Sequence, residues 1–330
     1  MKTSMRSALA ALTALVLTAA GPVGLAYASG DDDHGKRTSK ATKVFTLDPS
    51  VTGNNPEGVA WDKRSDSFFV GTVGTGTIYR GTLKDATLRP FITPDPAAPA
   101  DSAVGMKVSH GKLYVAGGPT GSIYVYDITT GAQLARFETG AGGFLNDLVV
   151  TEKGDVYVTD SFRPTLWHLT RDMVKARTGA PEPISVSNEI PYVAGFNLNG
   201  IVDRRGGREL IVVNTTTKSF FRIDIDRKNP AARTITKIDA PAIGGDGLLI
   251  DRGRLLVVTG NPAAVTVLKL KRHDSRARVD KVLTDATLRG PSTIARADKR
   301  YLVVNAAFNQ PAPYTVSAIS RKGVHGGGRD

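Results

Sequence analysis

Four residues with side-chain oxygens stand at the same place in four of the six repeats of the sequence, where together they could bind a metal ion. Six segments follow one template, and each opens directly before an apolar, strand-like run; the opening residues are Glu57, Val104, Asn146, Asn199, Asp246 and Pro291. Two carboxylates held close together repel each other unless a cation lies between them. Carboxylate and amide oxygens are hard ligands that suit Ca²⁺, although another divalent cation would also fit. These positions carry neither histidine nor cysteine, so a zinc or copper site is not indicated.

A local explanation competes with this one, because Asn-Gly and Asp-Gly pairs are ordinary turn dipeptides. Asn199-Gly200 and Asp246-Gly247 fit that description. The same offset nevertheless recurs in four repeats, and the apolar strand begins immediately afterwards each time. We therefore predict a shared metal or polar ligand site formed by Glu57, Asn146, Asn199 and Asp246.

A second set of polar residues follows the second strand of four repeats and is expected near the same end of the fold: Asp160, Asn214, Asn261 and Asn305. These residues could form the rim of the site, or they could hold ordinary turns, and both interpretations stay open. Phe144 and Phe196 precede two of the predicted ligands, where they could wall a pocket or pack beneath a loop.

Short strands must position these residues, because the repeats contain almost no helical periodicity; the best helix-period segment is 170–178. The repeats start 42 to 53 residues apart, and a period in the forties built of strands and turns is typical of propeller blades. We predict an all-β, six-bladed β-propeller with four-stranded antiparallel blades. Residues 43–48 should pair beside 314–320 and close the ring, which removes exposed sheet edges. A seven-bladed ring or two separate domains are weaker alternatives.

The N-terminus has the pattern of an export signal. Lys2 and Arg6 precede an apolar run that Gly21-Pro22 interrupts, and a small-residue cleavage pattern ends at Ala28. We expect a signal peptide at 1–28, a flexible leader at 29–42, the propeller at 43–320 and a disordered tail at 321–330. The protein is then secreted, and no later segment is apolar enough to span a bilayer.

Composition narrows the function classes further. The 330 residues include 43 Lys+Arg against 31 Asp+Glu, a formal charge of +12, and no cysteine. The missing cysteines exclude a disulfide framework and a cysteine nucleophile. The most basic stretch, 269–278, has no interleaved aromatic platform, so we interpret it as a solvated outer loop rather than a nucleic-acid surface. We expect a monomer with no nucleic-acid partner.

The sequence resembles the superfamily of six-bladed propellers that contains gluconolactonase, regucalcin (senescence marker protein) and diisopropyl fluorophosphatase. The resemblance spans about residues 43–320 and rests on NPEGVAWD (55–62), FLNDLVVTEKGDVYVTDS (144–161), NLNGIV (197–202) and GGDGLLID (244–251). It implies that a catalytic calcium is held by Glu57, Asn146, Asn199 and Asp246. It also implies that Asp246 activates water or attacks the substrate directly. The chain departs from its relatives in having no histidine at the predicted mouth and no arginine-containing substrate motif of the sugar-lactone enzymes.

Two functions of different kinds are consistent with this sequence. The first is a secreted, calcium-dependent hydrolase of the gluconolactonase-like type, which acts on a small lactone or related ester with Asp246 as its catalytic residue. The second is a non-catalytic propeller in which calcium is structural and the fold serves as a binding or interaction module. A fold by itself does not decide between them.

Overall fold

The computed structural model describes residues 42–50, 55–94, 102–226, 229 and 233–324. The predicted signal peptide at 1–28 and nearly all of the predicted leader at 29–42 lie outside these residues. None of the helices that the described residues form is long and apolar enough to cross a membrane.

Twenty-four strands account for most of the described residues. In chain order they are β1 (Lys43–Leu47), β2 (Pro56–Asp62), β3 (Ser67–Thr72), β4 (Ile78–Thr82), β5 (Thr87–Ile92), β6 (Met106–Ser109), β7 (Lys112–Ala116), β8 (Ser122–Asp127), β9 (Gln133–Glu138), β10 (Leu145–Val150), β11 (Val156–Asp160), β12 (Thr165–Leu169), β13 (Glu182–Ser185), β14 (Leu198–Arg204), β15 (Glu209–Asn214), β16 (Ser219–Ile225), β17 (Arg233–Ile238), β18 (Leu248–Asp251), β19 (Arg254–Thr259), β20 (Ala264–Lys271), β21 (Arg276–Leu283), β22 (Pro291–Ala297), β23 (Arg300–Asn305) and β24 (Thr315–Ser320). Valine, isoleucine and aromatic residues dominate the second strand of each group, because such side chains suit a pleated surface buried on both faces.

These strands form six blades of four strands each among the described residues. Blades 1 to 5 are β2–β5, β6–β9, β10–β13, β14–β17 and β18–β21, and blade 6 combines β22–β24 with β1. The innermost strands β2, β6, β10, β14, β18 and β22 contact one another in that order, and β22 returns to contact β2. The predicted six-bladed propeller is therefore confirmed.

The apolar core is divided among the interfaces between blades. Six buried clusters are present in the described residues, and each draws its side chains from two neighbouring blades. Phe68 and Val70 of β3 lie in the cluster shared with blade 6, whereas Phe69 lies in the cluster shared with blade 2. Because successive side chains point to opposite faces of a strand, the second strands contribute to two clusters at once.

The N-terminal strand closes the ring, as the sequence predicted. β1 pairs antiparallel with β24, with Lys43 opposite Ala318 and Thr46 opposite Thr315. Its other edge pairs parallel with β5 of blade 1, so β1 joins the last blade to the first. Phe45 of β1 is fully buried, and its ring meets that of Phe68 edge-on at a centroid distance of 4.9 Å.

Removing the Phe45 ring should therefore destabilise the whole propeller. We expect Phe45→Ala to lower the free energy of unfolding by about 3–5 kcal/mol, the range for deleting a buried aromatic side chain. The half-buried neighbour Val44 provides the control, and Val44→Ala should cost less than about 1 kcal/mol. Urea denaturation measures both changes, and equal losses in the two variants would argue against closure through Phe45.

Two short helices complete the described residues. The helix α1 (Arg171–Ala176) lies within the segment that showed the best helical periodicity, and the Thr170 hydroxyl caps it by accepting from Met173 N. A 3-10 helix (Arg321–Val324) follows β24. The prediction of a disordered tail from 321 is therefore wrong for residues 321–324. Arg321 pairs with the buried carboxylate of Asp251 at 2.8 Å, and Val324 packs between blades 5 and 6.

Candidate metal centre

An extra residue interrupts four of the six innermost strands at the same place, and the equivalent residues directly precede the other two, β6 and β18. In blade 1, Pro56 pairs with Thr72 and Val59 pairs with Val70, so Glu57 and Gly58 together face one residue of β3. The same shift occurs in blades 3, 4 and 6. In blades 2 and 5, two successive residues share one hydrogen-bonded partner, as Asp246 and Gly247 share Val258. Such β-bulges re-aim side chains and are common beside functional sites.

The bulges correct one position in the sequence alignment of the blades. Pro291 pairs with Asn305 as Pro56 pairs with Thr72, so Pro291 precedes the bulge. The residue of blade 6 that is equivalent to Glu57 is therefore Ser292. Its hydroxyl donates to the Glu57 carbonyl oxygen at 2.9 Å, which links the last blade to the first. The first bulge residues around the ring are Glu57, Val104, Asn146, Asn199, Asp246 and Ser292.

The glycines after these residues do not form turns. Gly200 and Gly247 have no positive φ, but a Cβ on Gly200 would lie 2.4 Å from the Asp246 carbonyl oxygen. A Cβ on Gly247 would lie 2.4 Å from Thr293 Oγ1 in the next blade. Gly200 N donates to Asp246 O at 3.1 Å, and Gly247 N donates to Ser292 O at 2.8 Å. The glycines are thus present because neighbouring inner strands approach too closely for a side chain.

The carboxylates of Glu57 and Asp246 lie close to each other within this ring. Glu57 is 7% exposed, and its Oε2 atom is buried without a hydrogen-bond partner among the described residues. Burial raises the pKa of Glu57 well above its ordinary value, and the Asp246 and Asp147 carboxylates raise it further. Burial likewise raises the pKa of Asp246 to about 7, although Asp246 keeps a little solvent-accessible surface. A buried carboxylate oxygen without a partner among the described residues, close to a second carboxylate, is an arrangement that a cation would stabilise.

Of the two predicted asparagine ligands, Asn199 contacts this carboxylate pair, whereas no contact of Asn146 with it is seen among the described residues. The Asn199 amide donates a hydrogen bond to Asp246 and so lowers its pKa. Asn146 Nδ2 donates to Ser161 Oγ at 3.0 Å. The amide oxygen is the other polar atom of the Asn146 side chain, and it is the atom that would bind a cation. Among the described residues, no three His, Cys, Asp or Glu side chains form a metal site by themselves. A cation bound by amide as well as carboxylate oxygens, and the convergence of all four residues on it, stay predictions.

Two charged residues of the site, Asp147 and Lys107, were not predicted from the sequence. Asp147 occupies the second bulge position of blade 3, where blades 1, 2, 4 and 5 have glycine. Its Oδ1 accepts from Lys107 Nζ at 2.9 Å and from Leu148 N at 2.8 Å. Lys107 also lowers the pKa of Glu57. The replacement of a repeated glycine by aspartate was the signal that could have revealed this ion pair.

The charges of this group favour a divalent ion. In their ionised forms, Glu57, Asp147 and Asp246 carry three negative charges, and Lys107 compensates one of them. The remaining charge matches that of one divalent cation. Oxygen-only donors suit calcium, whereas magnesium demands a tighter octahedron.

The predicted rim residues have structural contacts of their own. Asp160, Asn214 and Asn305 end their second strands and are buried. The Asp160 and Asn214 side chains bind the loops that follow, whereas the Asn305 side chain binds the loop before β22. Asn305, for example, donates to Thr287 O at 3.0 Å and accepts from Arg289 N at 3.0 Å. Asn261 is exposed in a turn beyond β19. These contacts favour the turn-holding interpretation over a direct role at the rim.

Known structures share this architecture. A gluconolactonase from Xanthomonas campestris is 16% identical, with a TM-score of 0.57 over 81% of this chain and 86% of its own. Regucalcin from Agrobacterium tumefaciens, a calcium-binding protein, is 16% identical, with a TM-score of 0.59 over 80% of this chain and 89% of its own. The allergen Mala s 1 from Malassezia sympodialis is 12% identical, with a TM-score of 0.61 over 84% and 95%.

Sequence comparison adds no further relative. No protein-family model and no curated protein matches the chain. Identities of 12% to 16% establish the fold and leave the function open. The chain is a six-bladed propeller with the fold of gluconolactonase and regucalcin, which confirms at the level of architecture the resemblance seen in the sequence.

Proposed function

We propose that the protein is a calcium-dependent hydrolase of a small lactone or related ester. The observation that carries this proposal is the buried Glu57 Oε2, which has no hydrogen-bond partner among the described residues and lies close to the Asp246 carboxylate. The neighbouring folds support it, since they include a gluconolactonase and a calcium-binding protein. Export of the protein stays a prediction of the N-terminal sequence, and the monomeric state stays a prediction as well.

The proposed roles follow from the contacts of each side chain. Glu57, Asn146, Asn199 and Asp246 would hold the ion, which when bound supplies a Lewis acid for a carbonyl oxygen of the substrate. Asn199 orients the Asp246 carboxylate through its hydrogen bond. Asp246 then serves as the base that accepts a proton from water, or as the nucleophile that attacks the carbonyl carbon. Lys107 holds the Asp147 carboxylate at 2.9 Å and so keeps this charge beside the pair.

A calcium titration followed by hydrolysis assays tests the proposal. With calcium, we expect the protein to hydrolyse members of a panel of lactones and aryl esters, and a chelator should remove the activity. Asp246→Ala should lower kcat/KM on the order of a thousandfold or more, as loss of a central catalytic group does. The control Asp172→Ala removes a carboxylate whose side chain is 82% exposed in the first turn of α1, and its activity should be unchanged.

Two other results would point elsewhere. Calcium binding without hydrolysis of any compound in the panel would favour the non-catalytic propeller. Hydrolysis that survives Asp246→Ala would show that the chemistry takes place without this carboxylate.

A further inference from the structure

Three phenylalanine rings form a cluster between blades 3 and 4, which we call the aromatic wall. Phe144 lies 5.5 Å from Phe162 and 5.1 Å from Phe196, and Phe162 lies 5.1 Å from Phe196, all measured between ring centroids. Phe144 is 5% exposed, but Phe162 is 45% exposed. Covering a half-exposed phenyl ring with an apolar partner is favourable, because it removes apolar surface from water.

The aromatic wall adjoins the candidate metal centre through the chain itself. Phe144 stands two residues before Asn146, and Phe196 stands three residues before Asn199. Phe162 follows Ser161, whose hydroxyl accepts from Asn146 Nδ2 and donates to Leu198 O at 2.6 Å. A molecule bound at the centre would therefore meet these rings on the side of blades 3 and 4.

Buried polar groups hold the rings in place. Asp160 Oδ1 accepts from Phe144 N at 3.0 Å and from Phe162 N at 3.1 Å. Asn197 N donates to Ser161 O at 3.1 Å, and its side chain accepts from Val193 N at 3.0 Å, which fixes the loop before Phe196. The backbone beneath all three rings is thus ordered before any ligand arrives, and a preordered surface binds at a lower entropic cost.

Arg163, which follows Phe162 in the chain, is already paired within the protein. Arg163 Nε pairs with Asp160 Oδ2 at 2.6 Å, and its Nη atoms donate to Thr139 O and Thr139 Oγ1 at 2.8 Å. Its guanidinium also lies 4.9 Å from the centroid of the Trp167 ring. The Arg163 guanidinium is thus bound within the protein, and the rings themselves present an aromatic surface, which suits an apolar group better than a polyhydroxylated sugar.

We propose that the aromatic wall binds the aryl or alkyl portion of the substrate, so that the protein selects apolar esters and lactones over sugar lactones. This inference rests on the proposed function and names its substrate class. The carbonyl group of such a substrate would lie toward Glu57 and Asp246, and its apolar group would cover Phe162 and Phe196.

The test combines direct binding with hydrolysis. Acetanilide, an amide analogue of phenyl acetate, should bind to the wild-type protein in ligand-observed NMR, and Phe162→Ser should weaken its affinity about tenfold. The same substitution should raise the KM for phenyl acetate, and should lower the kcat/KM ratio of phenyl acetate to glucono-δ-lactone about tenfold. Phe196→Leu keeps the apolar bulk and should have a smaller effect. Val282→Ser is the matched control, because Val282 is 53% exposed on the outer strand of blade 5.

Failure of the aromatic wall and failure of the proposed function give different results. If phenyl acetate is hydrolysed but Phe162→Ser changes neither acetanilide binding nor the selectivity ratio, the aromatic wall is not a substrate site. If acetanilide binds and Phe162→Ser weakens it while no ester or lactone is hydrolysed, the apolar site stands and the hydrolase proposal falls. Equal weakening by Val282→Ser would also overturn the inference, because the effect would then not be specific to these rings.

Discussion

Asp246→Asn is expected to abolish divalent-cation binding and, at the same time, to stabilise the metal-free protein. The substitution removes one of the two carboxylates that burial and mutual repulsion oppose, but asparagine can still accept the hydrogen bond from Asn199. At pH 8, the free energy of unfolding without metal should rise by about 2–4 kcal/mol. Each unit of difference between the folded and unfolded pKa of a group corresponds to about 1.4 kcal/mol. Function and stability thus oppose each other at this position.

The stabilisation should depend on pH in a defined direction. The folded pKa values of Asp246 and Glu57 lie above their ordinary values of 3.8 and 4.5, so the folded protein binds more protons than the unfolded chain. Metal-free wild type should therefore lose stability as the pH rises from about 4 through 7, where Asp246 ionises. The difference between Asp246→Asn and wild type should be near zero at pH 4 and largest above pH 7.

Thermal unfolding in EDTA at pH 5 and pH 8, repeated with excess calcium, measures these effects. Calcium should stabilise the wild type, more at pH 8 than at pH 5 because binding must displace protons, and it should leave the Asp246→Asn variant unchanged. Glu57→Gln is the parallel variant, and Asp172→Asn is the exposed control. A variant that is less stable than wild type at both pH values would show that the two carboxylates do not repel each other in the folded protein.

Gly58→Ala is expected to cause a larger loss of stability than a Gly→Ala substitution at any other glycine of the inner strands. A Cβ at this position would lie 1.9 Å from the Val104 carbonyl oxygen in blade 2. The obstacle is backbone, so a side-chain rotation cannot relieve the clash, and the two inner strands must separate. We expect a loss of at least about 3 kcal/mol, the upper end of overpacking effects, or failure to fold.

Gly260 supplies the matched control for this substitution. It also has no positive φ, but its nearest heavy atom to a new Cβ is Pro291 O at 3.4 Å. Gly260→Ala should change the free energy of unfolding by less than about 1 kcal/mol. Urea denaturation and expression yield of both variants provide the measurement. If Gly58→Ala is as stable as Gly260→Ala, the inner strands do not approach each other as closely as described.

Much of the fold could be predicted because each blade is built from local signals. Strand-like runs such as Phe68-Phe69-Val70 and the turns between them recur along the chain, and hairpins join neighbours in sequence. Ring closure could be predicted as well, because one unpaired strand at 43–48 remained to complete an incomplete last blade. Pro291 was misplaced by one residue, since a bulge inserts a residue without any local sequence mark.

The candidate site could be predicted only in part. The shared offset identified Glu57, Asn199 and Asp246, and the structure couples these three through charge and hydrogen bonding. Lys107 and Asp147 were missed because they are 40 residues apart and meet only when blades 2 and 3 are packed together. The function of Asp160 was also open until its contacts showed that it anchors Phe144 and Phe162.

The sequence by itself determined the number of blades, the closing strand and the residue types at the axis, because those properties depend on patterns repeated along the chain. Only the tertiary structure decided which residues touch across blades: the glycines that allow close approach, the Lys107–Asp147 pair and the unpartnered Glu57 oxygen. The physical reason is that burial, charge coupling and the space for a Cβ are set by neighbours in the adjacent blade. Those neighbours lie 40 or more residues away in sequence, so local patterns carry no information about them.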